Sequence, residues 1–389
     1  MKLKRILCAA LAVSILALSG CSGSEEKQAV DISKVKLSAS QISEVSSKTD
    51  KELTDHKFSG GAVITLNTNT VFEKSYGYTS EKKNKLNDSG TQYQISSVTK
   101  VFTGAAIAIM CDEGVIQKND VLPKFFPTLK NNKEMKSITV EDLLLKKRDF
   151  GRYVDNFVTT TDQLQTYNKL VNKNEKLANS RLKQDITRLI LNMGPNNSSN
   201  VGDSNYYLLG KIIEKATGKD YRDYIKEKII KKLGLKNTSF ASGKRPMTGY
   251  NNDMGKWRYT EEQPTLNSYG YLFSSFGITS SPKDVAKFFS ALVNKTLTKT
   301  DIIREAKRSS TNFGYGMSVE GRNLHVEGRT YLHSSYVFVN PENLECATLL
   351  SNTTGKADIS EIGKDIHRVI NSKINGILLE SVEEKSLGL

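Results

Sequence analysis

Ser97-Val98-Thr99-Lys100 places a hydroxyl and an amine three positions apart. On a helix, such residues lie one turn along on the same face, so their side chains can meet. A serine hydroxyl is a weak nucleophile until a neighbouring base takes its proton, and a neutral lysine amine is one such base. The residues that follow, Val101 to Met110, are almost wholly apolar. A run of that kind buries its helix, and burial disfavours the charged form of an amine. A serine in the first helical turn also sits in the positive end of the helix field. Spacing alone does not select this serine, because Ser-x-x-Lys also begins at Ser24, Ser33, Ser80, Ser180 and Ser280. The competing reading is a helix-capping serine, Ser96 or Ser97, followed by a surface lysine.

The elements around the pair come from both ends of the chain. Gly61-Ala62-Val63-Ile64-Thr65-Leu66, a turn at Asn67-Thr68-Asn69, and Val71 to Gly77 read as a hairpin. Tyr93-Gln94-Ile95 is extended and leads into the Ser97 helix, which runs to Asp112. Residues 115–300 read as mostly helical, with amphipathic stretches at 140–145, 186–193, 206–216 and 221–233. Ser281-Pro282 opens another helix, with proline in the first turn where its missing N–H costs nothing. Strand patterns return at 315–319, 323–326, 331–339 and 345–350, and a closing helix spans 359–377. The expected fold is therefore α+β. An antiparallel sheet built from N- and C-terminal segments is flanked by helices, with a mainly helical insertion. Residues 40–377 form that domain and 378–389 a C-terminal tail.

Met1 to Arg5 is basic, and Ile6 to Gly20 is an apolar run too short to span a bilayer comfortably. It ends at Leu18-Ser19-Gly20-Cys21, which looks like a bacterial lipobox. The expectation is a signal peptide over 1–20, lipid on Cys21 and a lipidated tether over 21–39. The protein would then sit on the extracytoplasmic face of the cell membrane, anchored rather than spanning. A short membrane anchor or an ordinary secretory signal is the alternative. The 389-residue chain has a formal net charge of +14. Outside a cell, that excess suits anionic lipid heads or anionic wall polymers, or merely keeps the surface soluble; export removes the protein from nucleic acid. Cys111 and Cys346 lie in apolar runs and read as buried thiols rather than a disulfide. The four histidines are scattered and no HExxH or CxxC spacing occurs, so no metal or other cofactor is indicated. Trp257 with Tyr250, Tyr259, Tyr269 and Tyr271 reads as packing of the insertion or as a cleft lining.

Several segments, in order, resemble the class C β-lactamase and penicillin-binding-protein-like serine hydrolases. They are Ser59-Gly60-Gly61-Ala62-Val63, Ile95 to Thr103, Asn205 to Glu214, Lys232 to Phe240, Gly277 to Asp284 and Tyr315-Gly316-Met317. The resemblance implies that Ser97 is the acylated nucleophile and Lys100 its proton partner. Two family motifs are altered. A Tyr-Ser/Ala-Asn motif belongs before the 206–216 helix. Its place is Val201-Gly202-Asp203 by an ungapped count, or Asp203-Ser204-Asn205 in a shifted register, and both lack the tyrosine. Asp203 could bond Lys100, but its ionised form would favour a charged amine. The Lys/His-Ser/Thr-Gly strand motif reads His325-Val326-Glu327. Glu327 aimed inward would repel substrates with a free carboxylate and admit cationic ones; aimed at solvent it would do neither. After Leu143-Leu144-Leu145, where the family carries a His-Thr-Ser-Gly-like run, stands Lys146-Lys147-Arg148-Asp149, read as a solvated loop or as a contact for an anionic polymer.

The expected activity is acyl-enzyme chemistry at Ser97 and Lys100 on a cell-wall ester or peptide of the D-alanyl class, with Asp203, His325 and Glu327 against the substrate. The alternative is a catalytically impaired lipoprotein of the same fold that binds wall polymer or a protein partner.

Overall fold

Gly60–Leu66, Ser334–Asn340 and Glu345–Ser351 are buried at every position. Strands covered on both faces belong at the centre of a layered domain. In the computed structural model they are the middle of a seven-stranded sheet. The structure describes residues 37–387, apart from 68, 80–84, 157–160, 197–201, 241–246, 254–255, 263–268, 331 and 355–357. Cys21 and Val201 thus lie outside the described residues.

In chain order the elements begin with α1 (Ala39–Asp55), β1 (Gly60–Leu66), β2 (Asn69–Tyr76) and β3 (Tyr93–Gln94). A 3₁₀ turn, Ser96–Val98, leads into α2 (Thr99–Asp112), followed by α3 (Leu122–Phe125), α4 (Val140–Leu144), α5 (Tyr153–Asn156) and α6 (Thr161–Met193). Then come α7 (Asp203–Thr217), α8 (Tyr221–Ile225, continued by a π-helical stretch Lys226–Lys231), β4 (Ser239–Phe240), β5 (Met247–Asp253) and β6 (Lys256–Glu262). The chain continues through α9 (Tyr269–Phe276), β7 (Ile278–Ser280), α10 (Pro282–Val293) and α11 (Ile302–Lys307). It closes with β8 (Phe313–Gly314), β9 (Met317–Glu320), β10 (Asn323–Arg329), β11 (Ser334–Asn340), β12 (Glu345–Ser351), β13 (Thr353–Thr354) and α12 (Ile359–Leu387).

The large sheet runs β2-β1-β12-β11-β10-β9-β8, with every neighbouring pair antiparallel. The N-terminal hairpin joins the C-terminal strands through β1 and β12, with Gly60 opposite Ser351. The α+β architecture expected from the chain ends is the one observed. Its outer face packs Ala62, Ile64, Phe338 and Leu349 against Val45 and Leu53 of α1 and Ile362, Ile366 and Ile370 of α12. Its inner face packs Leu324, Val326, Val337 and Val339 into a larger core with α2, α7 and α10.

The insertion is mainly helical, as expected, but it also carries a hairpin, β5 with β6, with Tyr250 opposite Tyr259 and Asn252 opposite Trp257. The side chains of Trp257, Tyr250, Tyr259 and Tyr269 lie outside those described. The C-terminal tail placed at 378–389 is helical as far as Leu387, as a continuation of α12. Cys111 and Cys346 are both free thiols, and burial pushes them up to about 11 and about 12.

Candidate active site

Three side-chain hydroxyls fix α2 in the core. Thr99 Oγ1 accepts from the backbone N–H of Ile278 at 3.2 Å, while Thr103 Oγ1 donates to Ser274 O at 2.7 Å and meets the Tyr221 hydroxyl at 2.7 Å. The turn before the helix is strained. Ser96 holds φ +46, a left-handed value that costs a non-glycine residue about 1–3 kcal/mol. Its hydroxyl donates to the Arg329 carbonyl at 3.2 Å. The end of β10 presses on this turn. A Cβ on Gly328 would fall 2.6 Å from Ile95 O and 2.9 Å from Ser96 Cβ, so only glycine lets the strand approach so closely.

Thus positioned, Ser97 heads the helix and Lys100 lies one turn along it. Lys100 Nζ donates to Ser97 Oγ at 2.8 Å. Lys100 is only 2% exposed and its ammonium lies 4.8 Å from the centre of the Phe276 ring. The capping-serine and surface-lysine reading is excluded by this burial and by the absence of a side-chain cap bond from Ser97.

The other side of the amine is acidic. Asp203, the first residue of α7 and buried, brings Oδ1 to 2.6 Å from Lys100 Nζ. The two atoms are close but not aligned for a hydrogen bond, so the contact is an ion pair. Oδ2 accepts from Arg152 Nε at 3.0 Å. One carboxylate therefore bridges the buried amine group of Lys100 and a half-exposed guanidinium, and hydrogen bonding to Asp203 helps raise the Arg152 value against the opposing cost of burial. Asn205 is occupied elsewhere. Its side chain accepts from Phe150 N at 2.9 Å and donates to Arg148 O at 2.7 Å, bracing the segment after α4. Between the two motif registers, the residue that faces the amine is Asp203 in either case.

A cleft of about 250 Å³ opens over the serine. Ser97, Asp203, Arg152, Phe276, Glu327, Gly328 and Arg329 line it. Four of the predicted residues, Ser97, Lys100, Asp203 and Glu327, thus come together. His325 does not join them. It lies on the outer face, short of the strand end that reaches the cleft, with its ring 6.1 Å from the Tyr336 ring and Nδ1 3.9 Å from Glu320. Burial lowers its titration below the usual histidine value. Glu327 is exposed at the cleft rim, not thrust into the floor. Its negative charge is not alone there, since Arg152 and Arg329 line the same opening; repulsion of every carboxylate, expected if Glu327 pointed inward, does not follow. Arg152 and Phe276 had no signal in the sequence beyond lying near predicted elements, and Ser96 appeared there only as a capping candidate inside the matched segment.

The solvated-loop reading of 146–149 holds for only part of it. Lys147 pairs with Glu141 at 2.6 Å near the surface, but Asp149 is 3% exposed and accepts from Gly151 N at 2.9 Å. Among the described residues, Glu52, His56 and Asp365 place possible metal-ligand atoms together, far from Ser97 in the fold and partly exposed; nothing else there points to a metal.

The comparisons with known proteins agree with this fold. The Protein flp sequences of Staphylococcus aureus are up to 31% identical over 188 residues, 46% of this chain. The matched segment spans about a third of their length, 34%. The putative penicillin-binding protein PbpX of Bacillus subtilis is 23% identical over 361 residues, covering 90% of this chain and 86% of its own. Among solved structures, FmtA from Staphylococcus aureus superposes with a TM-score of 0.65 at 22% identity, over 83% of this chain and 88% of that one. A D-amino acid amidase from Ochrobactrum anthropi superposes with a TM-score of 0.64 at 17% identity, over 88% and 99%. At those identities the likeness is one of fold. The Beta-lactamase family model matches residues 45–369, which include every element of the sheet and the whole cleft, and the chain belongs to that family.

Proposed function

We propose that this chain is an envelope-anchored serine hydrolase that forms an acyl-enzyme on Ser97, with D-alanyl esters of an anionic wall polymer as its substrate class and D-Ala peptides second. The observation that carries the reading is the 2.8 Å contact of Lys100 Nζ with Ser97 Oγ at the floor of an open cleft. Ser97 Oγ attacks the ester carbonyl carbon, and its proton passes to the neutral Lys100 amine. The backbone N–H groups of Ser97 and of the Gly328-Arg329 end of β10 would receive the oxyanion. Lys100 then returns the proton to the departing alkoxide oxygen. Water attacks the acyl carbon, giving its proton to Lys100, and the serine is released with the free acid.

The rim chemistry supports the substrate class. A D-alanyl ester carries an ammonium beside its carbonyl, which suits Glu327. A polymer of phosphodiesters carries anions beyond the ester oxygen, which suit Arg152 and Arg329. Lipid on Cys21, after cleavage of residues 1–20, would hold the enzyme at the membrane surface beside such polymers.

A second reading has its own observation. Asp203 Oδ1 lies 2.6 Å from Lys100 Nζ, and an ionised carboxylate there would favour a charged amine, which cannot take the serine's proton. On that reading the chain is a scaffold that binds wall polymer or a protein partner. Reaction of the protein lacking residues 1–21 with a fluorophosphonate separates the two. Adduct on Ser97, absent in Ser97→Ala, is the expected result; no adduct on either at any pH leaves only the scaffold.

A further inference from the structure

Lys146 stands apart from the other basic residues of its segment. It lies just past Leu145, the residue that caps α4, with φ +51, a left-handed conformation rarely held by a lysine. That backbone turns the side chain inward, where it is half-buried, with its ammonium 4.8 Å from the centre of the Phe313 ring. Its stem lies along Gly202, the residue immediately before Asp203. A Cβ on Gly202 would sit 3.4 Å from Lys146 Cδ, and Gly202 itself is left-handed at φ +62. The lysine is thus laid against the joint that delivers Asp203 to Lys100.

The charges meeting there can be named element by element. From the segment after α4 come Lys146 and Asp149, from α2 Lys100, from α7 Asp203, and from the cleft side Arg152 on the second oxygen of Asp203. From α9 come the ring of Phe276 and the Tyr271 phenol, and from α5 the Tyr153 phenol; both phenols feel the charge of Asp203. Burial, more than the opposing pull of Asp149, pushes Lys146 below the usual lysine value, and the positive charge of Lys100 adds to it. Burial likewise pushes Asp149 up. Two lysines therefore share one buried electrostatic neighbourhood. A second cation beside Lys100 opposes the hold of Asp203 on the ammonium form, because like charges disfavour each other's protonated state. The family enlists a tyrosine at this point of the site, and neither motif register here supplies one.

We propose that Lys146 is a positioning residue that, through its charge, sets the pH at which the Ser97–Lys100 pair becomes reactive. The inference rests on the proposed Ser97 chemistry for its consequence but not for its first measurement. That measurement is the titration of Lys100 followed by NMR in protein carrying ¹³Cε-lysine, with the signal assigned by Lys100→Arg. In Lys146→Met the midpoint moves to higher pH by about one unit, since the opposing cation is gone. In Lys146→Arg, which keeps the charge, it stays at the wild-type value. Fluorophosphonate labelling of Ser97 then slows about tenfold on the acidic limb in Lys146→Met and converges with wild type at high pH. Equal Lys100 midpoints in Lys146→Met and wild type overturn the proposal, as does a shift in Lys146→Arg as large as in Lys146→Met. A uniform loss of labelling without a moved limb marks a structural role and overturns it too. If no variant labels while the midpoint moves as stated, the coupling stands and the reading of Ser97 as a nucleophile fails.

Discussion

Breaking the Lys100–Asp203 pair tests the centre of the site most directly. Both side chains are 2% exposed and their charged atoms lie 2.6 Å apart. At an effective dielectric of about 20, that separation corresponds to about 6 kcal/mol of attraction, against a desolvation cost of several kcal/mol for each ion. Removing one partner alone leaves a buried charge without its counter-ion and costs about 3–5 kcal/mol. The two single changes are not equivalent. Lys100→Met leaves Asp203 with Arg152, which is 46% exposed, so that residual pair is screened by solvent and contributes little. Asp203→Asn strands both cations. Urea unfolding of Lys100→Met, Asp203→Asn and the double variant closes a mutant cycle. The expected coupling is about 2–4 kcal/mol, with the double variant no less stable than Asp203→Asn. Additivity within about 0.5 kcal/mol would refute the pairing and with it the electrostatic account of the site.

Gly328→Ala should lower stability by about 1–3 kcal/mol and slow labelling of Ser97, because the added methyl meets the Ile95 carbonyl at 2.6 Å and Ser335 Oγ at 2.4 Å; unchanged labelling would show that β10 does not shape the nucleophile turn. Glu327→Gln should slow turnover of D-alanyl esters relative to their N-acetylated analogues by about tenfold, read as kcat/KM for each, whereas equal losses on both would remove Glu327 from ammonium recognition. His325 is depressed by burial, so its contribution to stability is present above pH 6.5 and is lost as the pH falls through its lower folded value; His325→Phe should lessen the decline of Tm below that pH, and an unchanged decline would assign the loss to other groups. In a bacterial host, palmitate should label the full chain and not Cys21→Ser; labelling of both would put the anchor elsewhere.

Much of this protein was legible before any coordinates because it depends on neighbours in the chain. The reach of Lys100 to Ser97 follows from helical rise, and the burial of Lys100 follows from the apolar run to Met110. The sheet could be assembled on paper because strand patterns sit at both ends and a central strand buried on both faces reads as an apolar run, as at Gly60–Leu66. The hairpin β5–β6 was missed because its polar, aromatic-rich strands lie inside a helical stretch, where short strands carry a weak signal.

What charge type could not tell was where a charge goes. Lys146 and Lys147 are adjacent and identical in composition, yet one turns under the site and the other reaches solvent beside Glu141. His325 and Glu327 share a strand face, but the end of β10 brings only the second to the cleft. Asp203 meets Lys100 across 103 positions of chain, a distance that no local period spans. Local sequence thus determined the reach of Lys100 to Ser97, since helix geometry is short-ranged. The counter-charges around it were decided only by the tertiary packing of α2, α4, α7 and β10, since electrostatic partners are chosen in space and not along the chain.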